Sequence, residues 1–216
     1  MKAMAFNGSP RRNWNTAKLL DGALAGLREE GFETERIDLR NVNFRGCFSC
    51  FSCKQKDSPL YGKCIIKDAL ADIIARAEEA DVLLFGSPIY FSEVSSDMRA
   101  LMERMIFSHF AYDAEQPGLW PRKTACGLLY TMNQPDENQY AKRLQDSVGS
   151  FCDAVFASTD VFYAVDTCQF ADYSRYVCNV YDPEKKAARL AAFSEEEARA
   201  QEFGRMLARR AKEMEK

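Results

Sequence analysis

Asn7-Gly8-Ser9-Pro10-Arg11-Arg12-Asn13-Trp14-Asn15-Thr16 follows a short apolar run, Lys2–Phe6, and leads straight into a helical pattern. It is a polar turn, punctuated by glycine and proline, at a strand-to-helix junction. Such a turn aims several backbone N–H groups and hydroxyls at one spot, and the positive end of the next helix adds to their pull. A phosphate group is the natural occupant, so the turn points to a nucleotide-like cofactor.

Outward from this turn, apolar runs alternate with amphipathic stretches, the pattern of a βαβ sheet. Lys2–Phe6 reads as a first strand, and Thr16–Glu30 as a helix with Ala17, Leu20, Leu24 and Leu27 on one face, stopped at Gly31. Thr34–Leu39 reads as an edge strand. Asp68 caps a helix that runs to Glu79 with Leu70, Ile73, Ile74 and Ala77 inward. Asp81–Gly86 is nearly all apolar, as expected for a strand covered on both faces. Ser87–Ser96 reads as a loop, Asp97–Phe110 as a helix, and Thr124–Tyr130 as a buried strand. A helix is expected over Asn138–Phe156, a last strand over Asp160–Ala164, and a closing helix over Ser194–Lys216 that starts at Ser-Glu-Glu-Glu. The expected architecture is a doubly wound five-stranded parallel sheet with helices on both faces, whose ligands bind at the carboxyl ends of the strands. A length of 216 residues suits a single domain, 1–216, with a cysteine-rich loop over 40–67 and an irregular segment over 165–183.

In that architecture Asn7–Thr16, Ser87–Ser96 and Thr131–Gln139 emerge on one edge of the sheet. The second loop sets the fixed φ of Pro88 before Ile89, Tyr90 and Phe91, with free backbone N–H groups beyond it. An aromatic loop beside a phosphate site suits a flat heterocycle with a phosphate tail. Gly-Ser-Pro-Arg-Arg-Asn-x-Asn-Thr at 8–16 together with Gly-Ser-Pro-Ile-Tyr-Phe at 86–91 resembles the NAD(P)H-dependent FMN reductases and iron–sulfur flavoproteins of the flavodoxin-like superfamily. Residues 1–110 carry the resemblance, and the remainder follows by general pattern. It implies that Ser9, Arg11, Asn15 and Thr16 bind the FMN phosphate. Pro88, Ile89, Tyr90 and Phe91 would lie along the isoalloxazine ring, and Thr131 and Met132 would approach it from the third loop. Trp14 departs from the small residue usual at its position, which leaves it as an outward lid, a subunit contact or a weakness in the site.

Cys47, Cys50 and Cys53 are spaced by two residues each, and Cys64 follows after ten more, in a Gly62–Asp68 stretch reading Gly-Lys-Cys-Ile-Ile-Lys-Asp. A compact C-x₂-C-x₂-C suits three thiolates of a [4Fe–4S] cube with a remote fourth, and Phe48, Phe51 and Tyr61 are placed to keep water from it. Two other readings stand beside it: a loop packed against the flavin without metal, and a four-thiolate zinc site. Cys126 reads as core and Cys152 as a helix-face residue, while Cys168 and Cys178 read as solvent-facing.

A net charge of −3 without a basic stripe argues against nucleic acid, and no apolar run is long enough to span a bilayer. With no export signal, a cytoplasmic, reducing setting is expected, with the eight cysteines as thiols or ligands. His109 is the only histidine, so a histidine-based triad is excluded and a packing or capping role is expected. Glu29, Glu30, Glu78, Glu79 and Glu195–Glu197 read as solvated helix faces. The absence of acid–base groups from the motif loops suits hydride chemistry performed by a cofactor. The reading is an FMN-dependent NAD(P)H oxidoreductase that passes electrons to a small-molecule or protein acceptor. Its alternative is an electron carrier using FMN and a [4Fe–4S] cluster with a ferredoxin-like donor. The resemblance further implies a homodimer or homotetramer, with Phe162–Tyr181 as the candidate contact segment.

Overall fold

Strands β1 (Lys2–Asn7), β2 (Glu33–Asp38), β3 (Val82–Tyr90), β5 (Ala125–Thr131) and β6 (Ser158–Ala164) pair in parallel in the order β2-β1-β3-β5-β6, while a two-residue β4 (Glu93–Val94) pairs antiparallel with β3. The computed structural model describes residues 1–216 except for the Gln139 side chain. This is the flavodoxin-like order, whose switch point lies between β1 and β3. The five parallel strands are the five expected, and β4 makes a sixth. Val82–Phe85 are almost wholly buried because helices cover both sides of the sheet.

One face packs α1 (Asn15–Glu29) and α7 (Phe193–Met214) over Ala3, Ala5, Val82 and Leu84. The other packs α2 (Ala69–Ala77), α3 (Ser96–His109) and α5 (Ser150–Val155) over Met4, Phe6, Leu83 and Phe85. The α2 start is as expected, with the Asp68 carboxylate accepting the Leu70 N–H at 3.1 Å. Gly31 ends α1 at φ +87°.

Several sequence expectations change. Ser87–Ser96 is not an irregular loop: β3 continues through Pro88, which pairs with Thr131, and then Ile89 and Tyr90 pair with Val94 and Glu93. The hairpin tip is Phe91-Ser92, both at positive φ (51° and 66°) as a two-residue turn between twisted strands requires. The expected helix over Asn138–Phe156 is α4 (Asn138–Leu144) and α5 joined by a π-helical turn, Gln145–Gly149. A helix that the sequence reading missed, α6 (Pro183–Ala191), has Asp182 at its N-cap accepting from the N–H groups of Glu184 and Lys185, and proline in its first turn. It ends one residue before α7, so α7 begins at Phe193 without a side-chain cap, and Ser194 does not start it. Glu196 is also not solvated. It is buried between Arg189 at 2.6 Å and Arg199 at 2.5 Å.

Candidate active site

Ser9, Arg11, Asn15, Thr16, Pro88, Ile89, Tyr90, Thr131 and Met132 line one cleft, of about 530 Å³, at the carboxyl ends of the strands. Phe91 is the exception among the expected residues, standing 99% exposed at the hairpin tip outside the lining.

The turn after β1 is built by short local bonds. Fully buried Asn7 accepts the Ser9 N–H at 3.1 Å and donates to Asp38 at 2.9 Å, and the Ser9 hydroxyl accepts the Arg11 N–H at 3.2 Å. The Ser95 hydroxyl donates to the Gly8 carbonyl at 2.7 Å, tying the turn to the residues before α3. A Cβ at Gly8 would sit 2.8 Å from Met98 Cβ and Ser95 Oγ, so this approach requires glycine. The Thr16 and Thr131 hydroxyls meet at 2.8 Å, fixing the start of α1 against the end of β5. No side chain caps α1, and no acidic residue lies in its first turn. Its first N–H groups therefore keep their capacity for an outside acceptor, and the helix dipole favours an anion there. The uncapped terminus, the buried Thr16 and Asn15 and the nearby Arg11 are a donor set whose chemistry suits a phosphate such as that of FMN, and the β3–β4 hairpin forms one wall of the same cleft.

The cleft has residues that the sequence reading did not place there. Trp14, Asn133, Thr167, Cys168 and Gln169 complete the lining. Trp14 is half-buried in the wall of the cleft. Its indole N–H donates to the Cys168 carbonyl at 2.9 Å, and the Arg11 guanidinium lies 4.0 Å from its ring centroid. Asn15 donates to the same carbonyl at 2.9 Å. Cys168 is thus buried, not solvent-facing, and burial pushes its thiol up. A signal existed: residues 165–169 follow the last parallel strand, so they emerge on the same sheet edge as the other loops.

Cys47, Cys50, Cys53 and Cys64 line a second recess together with Phe48, Phe51, Arg104 and Phe107. Two cations hold it. Buried Arg104 donates from Nε to the Cys64 sulfur at 2.9 Å, to the Arg45 and Ile66 carbonyls at 3.0 and 3.2 Å, and to both oxygens of Asp68 at 2.9 and 3.2 Å. The Lys54 ammonium donates to the Phe107, Ser108 and Phe110 carbonyls, closing the carboxyl end of α3. Burial raises the Cys53 thiol, whereas hydrogen bonds from Ser52 lower that of Cys50. Among the described residues no group of three or more His, Cys, Asp or Glu is arranged around a single metal ion, the arrangement zinc requires. Thiolates at the corners of an iron–sulfur cube stand farther apart, and four thiols on one recess are a donor set of the right chemistry for it. Phe48, Phe51 and Tyr61 do not seal this loop, being 58%, 49% and 44% exposed.

The remaining candidates are structural. His109 is buried against Trp120 at 4.5 Å between ring centroids, with Nδ1 2.8 Å from the Met105 carbonyl and Nε2 3.1 Å from Glu78. Cys126 and Cys152 are both in the core. Phe162 is also core, packed on Phe203, and Phe170 stacks on Tyr176 at 3.8 Å. No described helix is long and apolar enough to cross a membrane.

A family described as NADPH-dependent FMN reductase matches residues 1–167. Similar curated proteins include an iron–sulfur flavoprotein of Methanocaldococcus jannaschii, 40% identical over 104 residues (48% of this chain and 51% of that protein), and one of Methanosarcina thermophila, 29% identical over 106 residues (49% and 53%). The chain spans about half the length of the curated relatives it matches. Among solved structures, an NAD(P)H:quinone oxidoreductase from Methanothermobacter marburgensis superposes with a TM-score of 0.66 at 17% identity, covering 96% of both chains. An FMN-dependent NADH-azoreductase from Bacillus anthracis, in complex with FMN, gives 0.57 at 13% identity over 94% of this chain and 100% of the other. At these identities the two structures share the fold.

Proposed function

We propose, from the premise that this chain belongs to the NADPH-dependent FMN reductase family, that it is an FMN-dependent NAD(P)H oxidoreductase. The observation that supports this best is the cleft where the uncapped start of α1 meets the β3–β4 hairpin. Ser9, Arg11, Asn15 and Thr16 would hold the phosphate through hydroxyl, amide, guanidinium and first-turn N–H groups. Pro88, Ile89 and Tyr90 would wall the ring, with Thr131 and Met132 facing it from β5. Exposed Phe91 would shield the outer side of the ring or meet the substrate there. The bound flavin would supply hydride acceptance and electron release. The acceptor would be a small molecule or a protein, the assembly a homodimer or homotetramer, the setting cytoplasmic and the chain one domain. The test is titration of apoprotein into FMN, followed by anaerobic NADH or NADPH. Quenched flavin fluorescence and then bleaching of the bound flavin are expected; an unquenched FMN signal sinks the reading.

A second reading is favoured by one specific observation: Cys47, Cys50, Cys53 and Cys64 share a recess in which Arg104 donates to Cys64. Similar proteins bear the name iron–sulfur flavoprotein. In this reading those cysteines would hold a [4Fe–4S] cluster and a ferredoxin-like protein would be the donor. Iron and sulfide analysis of anaerobically purified protein decides it, with about four irons per chain expected for a cube.

A further inference from the structure

Lys186, on α6, is buried, and its ammonium donates to Asp166 and, at 2.5 Å, to Oδ1 of Asn133. An ammonium can only donate, so the bond fixes which way the Asn133 amide points. The other end of that amide, Nδ2, is buried and has no partner among the described residues. Asn133 lines the cleft. A buried amide N–H₂ without an acceptor is costly, and a ligand acceptor would recover that cost.

The carboxylate beside Lys186 is held under constraint. Asp166 sits at φ +50°, its N–H donates to the Gln134 carbonyl at 2.6 Å, and the Thr167 N–H donates to the Met132 carbonyl at 2.9 Å. The loops after β5 and β6 are thus laced together directly over Asn133. Asp166 is 42% exposed at its side chain and the Lys186 side chain 7%, so water screens the carboxylate more than it screens the ammonium.

We propose that Asn133 donates its free amide hydrogen bond to the polar edge of the bound isoalloxazine ring, and that Lys186, acting through Asn133, is a positioning residue that favours the reduced ring. This rests on the FMN reading above. Hydride transfer brings two electrons and one proton, so the ring gains one negative charge while the nicotinamide becomes a cation. A donor polarised by an ammonium on its far side strengthens as that charge forms. Lys186 lies beyond residue 167, outside the family match, so this control belongs to the chain's own carboxyl-terminal segment.

The test measures FMN affinity by fluorescence quenching and the two-electron potential of the bound flavin against a reference dye. Lys186→Met is expected to weaken binding of reduced relative to oxidised FMN about tenfold, a potential about 30 mV lower. Lys186→Arg restores it, and Asn133→Leu lowers it similarly. With Asn133→Leu in place, Lys186→Met should shift nothing further. Unchanged potentials in the FMN-binding Lys186→Met and Asn133→Leu variants, or additive shifts in the double variant, overturn the inference alone. Failure of the unaltered protein to bind FMN overturns the cofactor reading and this inference with it.

Discussion

Asp68 joins two tasks in one carboxylate, capping α2 and neutralising the buried Arg104 that holds the cysteine loop. Burial alone would raise its pKa, but the hydrogen bonds and charge of Arg104, with backbone N–H groups, bring it below the ordinary value. A lowered carboxylate contributes its stability above the unfolded value near 3.9 and loses it as pH falls through the lower folded value. Asp68→Asn should therefore cost about 3 kcal/mol at pH 7, since it leaves a buried guanidinium without its counter-charge. Urea melts of the two proteins at pH 7 and at pH 3 should show the gap narrowing in acid; a gap independent of pH would refute this account. The cap was legible from Asp68 preceding an apolar pattern. Its partner was not, because nothing in local sequence links position 68 to position 104.

At the scale of elements, two junctions decide the geometry. The β3–β4 hairpin holds two side-chain-bearing residues in the left-handed region, where each costs roughly 1–2 kcal/mol against its relaxed state. Phe91 buries almost nothing in return. Replacing Phe91→Asn together with Ser92→Gly installs the pair that such a turn prefers. Thermal melts should show a stabilisation of about 1 kcal/mol and, if the hairpin walls the flavin ring as proposed above, slower flavin turnover. The second junction is α1 against α7. A Cβ at Gly26 would stand 2.0 Å from the Gln201 carbonyl oxygen, and one at Gly204 would stand 2.0 Å from that of Ala23. Gly204→Ala should accordingly destabilise the protein by about 1–3 kcal/mol despite its better helix propensity. Denaturant midpoints check it, and a rise would refute the packing argument. The first helix was legible from its apolar face and the last from its Ser-Glu-Glu-Glu start. Their close contact was not, since helix periodicity does not reveal which helix meets which.

For the whole molecule, the cleft joins the end of β3 to the stretches after β1, β5 and β6, so a ligand there would touch four separate parts of the chain at once. Ligand that binds only the folded state stabilises it by about 2.7 kcal/mol at a hundredfold excess over Kd. For a chain of this length that raises Tm by about 5–10 °C. FMN should produce the shift and riboflavin, lacking the phosphate, much less; equal shifts would remove the phosphate role of the α1 terminus.

Local sequence was enough for the five parallel strands and the long helices between them, the turn at Asn7–Thr16 and the C-x₂-C-x₂-C run, because hydrophobic periodicity, turn chemistry and close spacing are local properties; the β3–β4 hairpin and α6 were not read from it. From these followed the parallel sheet and the edge at which the cleft opens. Only the tertiary structure decided that Trp14, Asn133 and Cys168 share the cleft, that Glu196 is buried, that Arg104 and Lys54 hold the cysteine loop, and that Lys186 backs the Asn133 amide. These are contacts between residues far apart in the chain. They depend on how the faces of the sheet are covered and on where each connecting loop ends, and no local pattern encodes either.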